Sequence, residues 1–259
     1  MGVNRKPLSV IFGLSLPLLC FLNNVHAADT ASAALPSSSQ PASVIPIPRT
    51  TDGKPDKHSK ALFEGNVKRV KKGNFDIVFY GDSITEAMNT AQMKKYFGPR
   101  VDHFGVGGDR TQHLLWRLQH GELDFKSAPK VAVLLIGTNN IPSWPGRPGS
   151  SNPEIFQGVI ADITEIQNKL PKTKILVLGI LPRDKDGNTS NRSRIIEIND
   201  LIKNVADNNR IWYLDLGPVL LEADKSISPK VMPDYLHPSP AGYDRMFKAI
   251  KPVTDSLLK

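Results

Sequence analysis

Cysteine is almost absent. Cys20 is the one thiol in 259 residues, so no intrachain disulfide can staple the fold. Stability must come from a hydrophobic core, and a chain of this length can bury one without cross-links. There is no His-x-x-x-His pair and no cysteine-rich cluster, the spacings on which a metal site is usually built, so neither a metal nor another cofactor is expected. Dense basic runs are missing too. Lys and Arg are scattered, and the densest stretch, Lys68-Arg69 with Lys71-Lys72, reads as the solvated face of a helix rather than a nucleic-acid surface. The formal charge of +8 still favours anionic partners such as acidic polysaccharide or lipid head groups.

One apolar run stands out, at the N-terminus. Asn4-Arg5-Lys6 precedes a stretch from Leu8 to Leu22, and Val25-His26-Ala27 ends in a small residue. This pattern reads as a signal peptide over residues 1–27, cleaved after Ala27, with export to the periplasm or beyond. The run is shorter than the roughly 20 residues that span a bilayer, so no integral membrane segment is expected after cleavage. Cys20 invites a lipoprotein reading, but Leu18-Leu19 stand where small residues would be needed. Cleavage would remove Arg5, Lys6 and the thiol, taking the formal charge from +8 to +6. Residues 28–57 are rich in Ala, Ser, Pro and Thr and carry few large apolar side chains, which predicts a disordered linker. The globular domain is then 58–259.

Within that domain, five short apolar runs alternate with amphipathic stretches. The runs are Phe75 to Tyr80, the weaker Val101 to Phe104, Val131 to Ile136, Ile175 to Ile180 and Ile211 to Leu216. Helical spacing marks Leu62, Phe63, Val67 and Val70, then Met88 to Phe97, Thr111 to His120, Glu154 to Leu170, Arg192 to Ala206 and Pro240 to Leu258. Strands alternating with helices predict an α/β fold with a mostly parallel sheet covered on both faces.

In such a sheet, ligands bind beyond the carboxyl ends of the strands, and the chemically suggestive segments all fall there. Gly81-Asp82-Ser83 follows the first strand, Gly105-Val106-Gly107-Gly108 the second and Gly137-Thr138-Asn139-Asn140 the third, while Asp234-Tyr235-Leu236-His237 lies beyond the fifth. A serine hydroxyl becomes a nucleophile when an imidazole takes its proton and a carboxylate fixes the imidazole tautomer, and Asp-x-x-His offers the last two on one loop. Taken singly, each segment has a plainer account: Ser83 as a helix cap, the glycines as a tight turn, Asn139 as a loop brace. The glycine run fails as a dinucleotide fingerprint, because Arg110 stands where the third glycine belongs. His113 and His120, seven residues apart on a helix, read as surface or packing residues.

Together the four blocks resemble the SGNH, or GDSL, hydrolase family, and within it the catalytic subunits of platelet-activating-factor acetylhydrolase. The resemblance runs from about Phe75 to the C-terminus. It rests on Gly-Asp-Ser from Gly81, Gly-Gly-Asp-Arg-Thr-Gln-His-Leu-Leu-Trp-Arg from Gly107, Gly-Thr-Asn-Asn from Gly137, Leu-Gly-Ile-Leu-Pro-Arg from Leu178 and Asp-Tyr-Leu-His from Asp234. It implies a flavodoxin-like three-layer α/β/α sandwich with a five-stranded parallel sheet. Ser83 would be the nucleophile, His237 the base and Asp234 its orienter, with Ser83, Gly108 and Asn139 forming an oxyanion hole. Two departures stand out. His103 begins His103-Phe104-Gly105 where the family often has Asn before the block II glycines, and the loop from Ile141 to Pro153, carrying Trp144, is longer than in the acetylhydrolase subunits. Trp144 is a candidate wall for the substrate, or a pin for its own loop.

The expected activity is hydrolysis of short-chain esters, acetyl above all, on a small molecule or a glycan. The alternatives are an O-acyltransferase using the same acyl-serine and a glycan-binding module without chemistry.

Overall fold

Apolar runs of four or five residues without periodicity suit strands buried on both faces, and all five expected runs are strands. The computed structural model describes residues 40–141 and 149–259. The strands are β1 (Ile77–Gly81), β2 (Val101–Gly105), β3 (Val131–Leu135), β4 (Lys174–Leu178) and β5 (Ile211–Leu214). They form one parallel sheet in the order β2-β1-β3-β4-β5. The helices are α1 (Lys57–Lys72), α2 (Ser83–Glu86), α3 (Thr90–Phe97), α4 (Thr111–Arg117), α5 (Asn152–Lys169), α6 (Ser190–Lys203), α7 (Gly217–Leu220) and α8 (Pro240–Leu257). Among the described residues, no helix is long and apolar enough to cross a membrane.

Strand alternation sorts the core into two layers. Ile77 and Phe79 of β1 pack with α3, α7 and α8 through Met93, Phe97, Leu220, Met246 and Phe247. Val78 and Tyr80 face the other way, onto α1, α4, α5 and α6 through Val70, Leu114, Ile163 and Ile198. The three-layer α/β/α sandwich is therefore present. Helix starts follow local chemistry. The Asp56 carboxylate accepts the Ser59 N–H at 2.7 Å at the head of α1, and Ser151 and Glu154 form a reciprocal capping box at the head of α5.

Register places the site. Gly81 pairs with Gly105 on one side and Leu135 on the other, so the segments after three strands leave the sheet along one edge. Gly105 lets α2 cross that edge closely. A Cβ there would collide with backbone atoms of Thr85 and Glu86, which have no room to move. Gly105→Ala is expected to cost about 1–3 kcal/mol or more. Gly65→Ala, in α1 with open space around it, should instead add roughly 0.5–1 kcal/mol. Urea titrations of the two variants check the contrast.

The linker expected over 28–57 holds a different structure where it is described. Residues 40–56 form a strap on the domain, and α1 begins at Lys57. Thr111 donates its hydroxyl to Ser43 O at 2.9 Å, Ile47 N–H reaches Gln112 O at 3.3 Å, and Thr50–Thr51 pairs with Lys54–Pro55 in a small hairpin. The compositional argument counted only large apolar side chains. This segment is held by backbone polar groups, and its prolines lower the entropy that ordering must overcome. Residues 28–39, the signal-peptide segment and Trp144 lie outside the described residues.

Candidate active site

Ser83 is the first residue of α2, and the cap of that helix is its neighbour. Asp82 Oδ1 accepts the Ile84 N–H at 3.0 Å, so the Ser83 hydroxyl is released from the capping role that would otherwise explain it. It meets His237 Nε2 at 2.9 Å. On the other side of the imidazole, Nδ1 lies 2.7 Å from Asp234 Oδ2. A carboxylate at Nδ1 fixes the N–H there and leaves the Nε2 lone pair for the serine hydroxyl.

The Asp-x-x-His loop builds this relay locally. Asp234 Oδ1 accepts the N–H groups of Leu236 at 3.1 Å and His237 at 2.7 Å, which leaves Oδ2 for the ring. Tyr235 takes a φ of 59° to close the turn. Partial burial pushes the Asp234 carboxyl up, but hydrogen bonds from the His237 side chain and backbone and from the Leu236 N–H outweigh it and hold it below the usual carboxylate range. Tyr243, on the helix after the loop, donates its hydroxyl to Ile84 O at 2.7 Å and so ties the loop's anchor to the serine's own helix.

Gly107-Gly108 and Asn139 converge beside Ser83. Asn139 Nδ2 donates one hydrogen to Asp109 O at 2.9 Å, which clamps the third block to the second and leaves the other N–H of that amide. Gly108 has a φ of 77°, a left-handed value that glycine adopts without strain. Among the described residues no acceptor takes the N–H of Ser83 or Gly108, whereas Gly107 N–H is bound to Glu86 Oε2 at 2.6 Å. The structure thus joins Ser83, His237 and Asp234 in one hydrogen-bonded line, sets the glycine turn against Ser83 through Gly107, and ties Asn139 to Asp109, the residue after Gly108.

Three supporting residues escaped the sequence reading. Glu86 braces the glycine turn, a duty that His103 does not perform. His103 sits within β2, and its Nδ1 is buried without a partner. Arg117 is the second. Its guanidinium, 4% exposed, donates to Gly81 O at 3.1 Å, Phe104 O at 3.2 Å and Asp109 Oδ2 at 2.7 Å, and also pairs with Glu122. Asn66 of α1 completes the cluster by donating to Glu122 Oε1 at 2.8 Å. These contacts hold the strand ends before Ser83 and before the glycine turn, and the residue that follows Gly108. The third is Asn140, whose buried amide binds the Thr111 backbone and side chain. His113 and His120 are packing residues, His113 accepting the Arg110 N–H and His120 stacking on Trp116.

Asp82 is electrostatically costly. Burial, with the nearby Asp109 charge, pushes its carboxyl up to about 7 against the pull of the Ile84 N–H and His237. A carboxyl whose folded value exceeds its unfolded value binds its proton more tightly in the native state, so stability falls as pH rises from about 4 to about 7. Asp82→Asn keeps the acceptor for Ile84 and removes the ionisation. Its stability should therefore gain on the native protein by roughly 2–4 kcal/mol between pH 4 and pH 8, measured by urea titration at each pH.

Residues 79–245 match the model of the GDSL-like Lipase/Acylhydrolase family. The human platelet-activating factor acetylhydrolase IB subunit alpha1 is 34% identical over 178 residues, covering 68% of this chain and 73% of that one. Among solved structures, a GDSL-like lipase from Bacteroides thetaiotaomicron superposes with a TM-score of 0.60 at 21% identity, over 76% of this chain and 97% of the other. A carbohydrate esterase family 3 protein from Talaromyces cellulolyticus gives a TM-score of 0.57 at 16% identity, over 71% and 98%. The fold is common to all of them, and the sequence likeness extends through the blocks that form the site. This chain belongs to the GDSL-like lipase/acylhydrolase family of hydrolases.

Proposed function

We propose that this protein is an exported serine carboxylic-ester hydrolase that removes short acyl groups, acetyl first, through a covalent acyl-serine. The observation that carries the reading is the unbroken line from Ser83 Oγ through His237 to Asp234, at 2.9 and 2.7 Å, with the N–H groups of Ser83 and Gly108 taken by no acceptor among the described residues. Ser83 Oγ bonds to the ester carbonyl carbon while His237 Nε2 takes its proton. The carbonyl oxygen gains negative charge, for which the N–H groups of Ser83 and Gly108 and the amide of Asn139 are the donors, each contributing roughly 3–4 kcal/mol. Collapse breaks the bond to the alcohol oxygen, which receives the proton from His237. Water then attacks the acyl carbon, gives its proton to His237, and acetate leaves as Ser83 regains it.

Acetyl is favoured because the human relative is an acetylhydrolase, and a glycan ester because a structural neighbour is a carbohydrate esterase. Export rests on the N-terminal charge and apolar run. The relay is open, with the Asp234 and His237 side chains 55% and 38% exposed, which suits water as the acceptor of the acyl group. Acetate release from acetylated glycans, phospholipids and aryl esters tests the reading, with product analysis in the presence of an added glycan. Free acetate as the main product supports it. Acetyl transferred to the glycan would make the protein an acyltransferase, and release from no ester would leave a binding module.

A further inference from the structure

Arg49 belongs to the strap, outside the residues that match the family model, yet its guanidinium lies on the turn that flanks Ser83. A Cβ on Gly108 would stand 2.6 Å from Arg49 Nη1 and 2.8 Å from its Cζ and Nη2, so the guanidinium occupies the side of Gly108 where another residue would carry a side chain. The main chain that presents it is fixed. Asp56 N–H donates to Arg49 O at 3.1 Å, and the hairpin of Thr50–Thr51 with Lys54–Pro55 lies between them.

This cation makes no close ion pair. Among the described residues, no carboxylate oxygen lies within 4.0 Å of the Arg49 guanidinium. Asp109 and Asp56 both feel its charge but make their hydrogen bonds elsewhere, Asp109 to Arg117 and Asp56 to Ser59 and Thr51. Glu86 is spent on the Gly107 N–H and faces His58. Burial pushes the His113 imidazole down to about 4, and the charges of Arg110, Arg49 and Arg117 add to that effect. Arg49 also borders a cavity of about 270 Å³ lined by Pro48, Phe63 and Trp116 and by the acids Asp56, Glu64 and Asp109, so an anion bound by Arg49 must approach from the Gly108 side.

A half-buried guanidinium in no close ion pair among the described residues, set beside a turn that contacts the reacting serine, can take an anion. We propose that Arg49 is a specificity-determining residue that makes the site prefer esters whose alcohol part carries an anionic group, carboxylate or phosphate, near the scissile bond. The proposal rests on the ester-hydrolase reading above and narrows its substrate class. The excess of basic over acidic residues in the whole chain acts in the same direction, raising the local concentration of such substrates at low salt.

Two matched pairs test it. One is 1-acetylglycerol 3-phosphate against 1-acetylglycerol; the other is an acetylated oligogalacturonide against the same oligomer with its carboxyls methyl-esterified. The readout is the ratio of kcat/KM, anionic over neutral, for the full-length native protein, Arg49→Ala, Arg49→Glu and Arg49→Lys. The native ratio should exceed one and fall as salt rises. It should drop about tenfold in Arg49→Ala, drop further in Arg49→Glu and recover in part in Arg49→Lys. The pair that shows the drop tells phosphate from carboxylate, and a drop in both supports anion recognition in general. Native and Arg49→Ala ratios that are equal for both pairs overturn the proposal while leaving the esterase reading intact. No acetate from any of the four esters overturns this proposal if the native protein still hydrolyses p-nitrophenyl acetate, and overturns the esterase reading as well if it does not.

Discussion

Replacing Ser83 by alanine is expected to lower kcat on an aryl acetate by about 10⁴- to 10⁶-fold and to leave the melting temperature unchanged. The two halves of this result are separable because Asp82, not Ser83, caps α2. Loss of the hydroxyl removes the atom that forms the acyl bond but strips no N–H of its acceptor. If Ser83 were a helix cap with no chemistry, the pattern would invert, with a stability loss of roughly 0.5–2 kcal/mol and undiminished turnover. Thermal melts alongside initial rates decide between them. Residual activity in the variant is expected to reflect the N–H donors alone, which still bind a developing oxyanion for attack by water.

Arg117→Met should be the most destabilising single change among the residues around the site. It removes the partner of Asp109 and Glu122, whose side chains are 1% and 0% exposed, and takes one donor from Phe104 O and one from Gly81 O, which keeps the Val106 N–H. Stranding a buried charge costs about 3–5 kcal/mol, a large part of a typical domain's 5–15 kcal/mol. The direction of its pH dependence is a second signature. Burial already pushes Asp109 up to about 6 against the pull of Arg117, and without that cation the carboxyl rises further. Its folded value then exceeds its unfolded value more widely, so the variant's stability is greatest at low pH and falls as pH rises toward neutrality. Replacing Arg117 and Glu122 together, by Met and Leu, should recover only the Glu122 part of the loss, because Asp109 stays unpaired and Asn66 loses its acceptor. Equilibrium urea titrations at pH 5 and pH 8 measure both effects. Because the Arg117 contacts hold the main chain next to Ser83 and Gly108, catalysis should suffer in any folded Arg117 variant.

The fold was largely legible in the chain. Short apolar runs such as Val131 to Ile136 have no competing account once helical stretches separate them, and glycine-bearing segments at their ends fall on one edge by register. The Asp234–His237 pair was legible because three-residue spacing on a turn is a local property. Arg117 was not, since its four acceptors come from β1, β2 and the loops beyond, and nothing in Trp116-Arg117-Leu118 distinguishes a buried arginine from a solvated one. Glu86 was missed for the same reason: three residues after Ser83 it looks like ordinary helix surface, and only the fold brings Gly107 to it. The strap was misread because its order comes from contacts with α4, at residues far along the chain such as Thr111 and Gln112.

The most direct test of the account is the site of acylation. Mixing the native protein with p-nitrophenyl acetate, quenching within the first turnover and mapping the peptides by mass should place one acetyl group on Ser83. The label should decay as acetate appears, and it should persist longer in His237→Ala if any forms there. Acetyl on another residue, or undiminished turnover by Ser83→Ala, would contradict it.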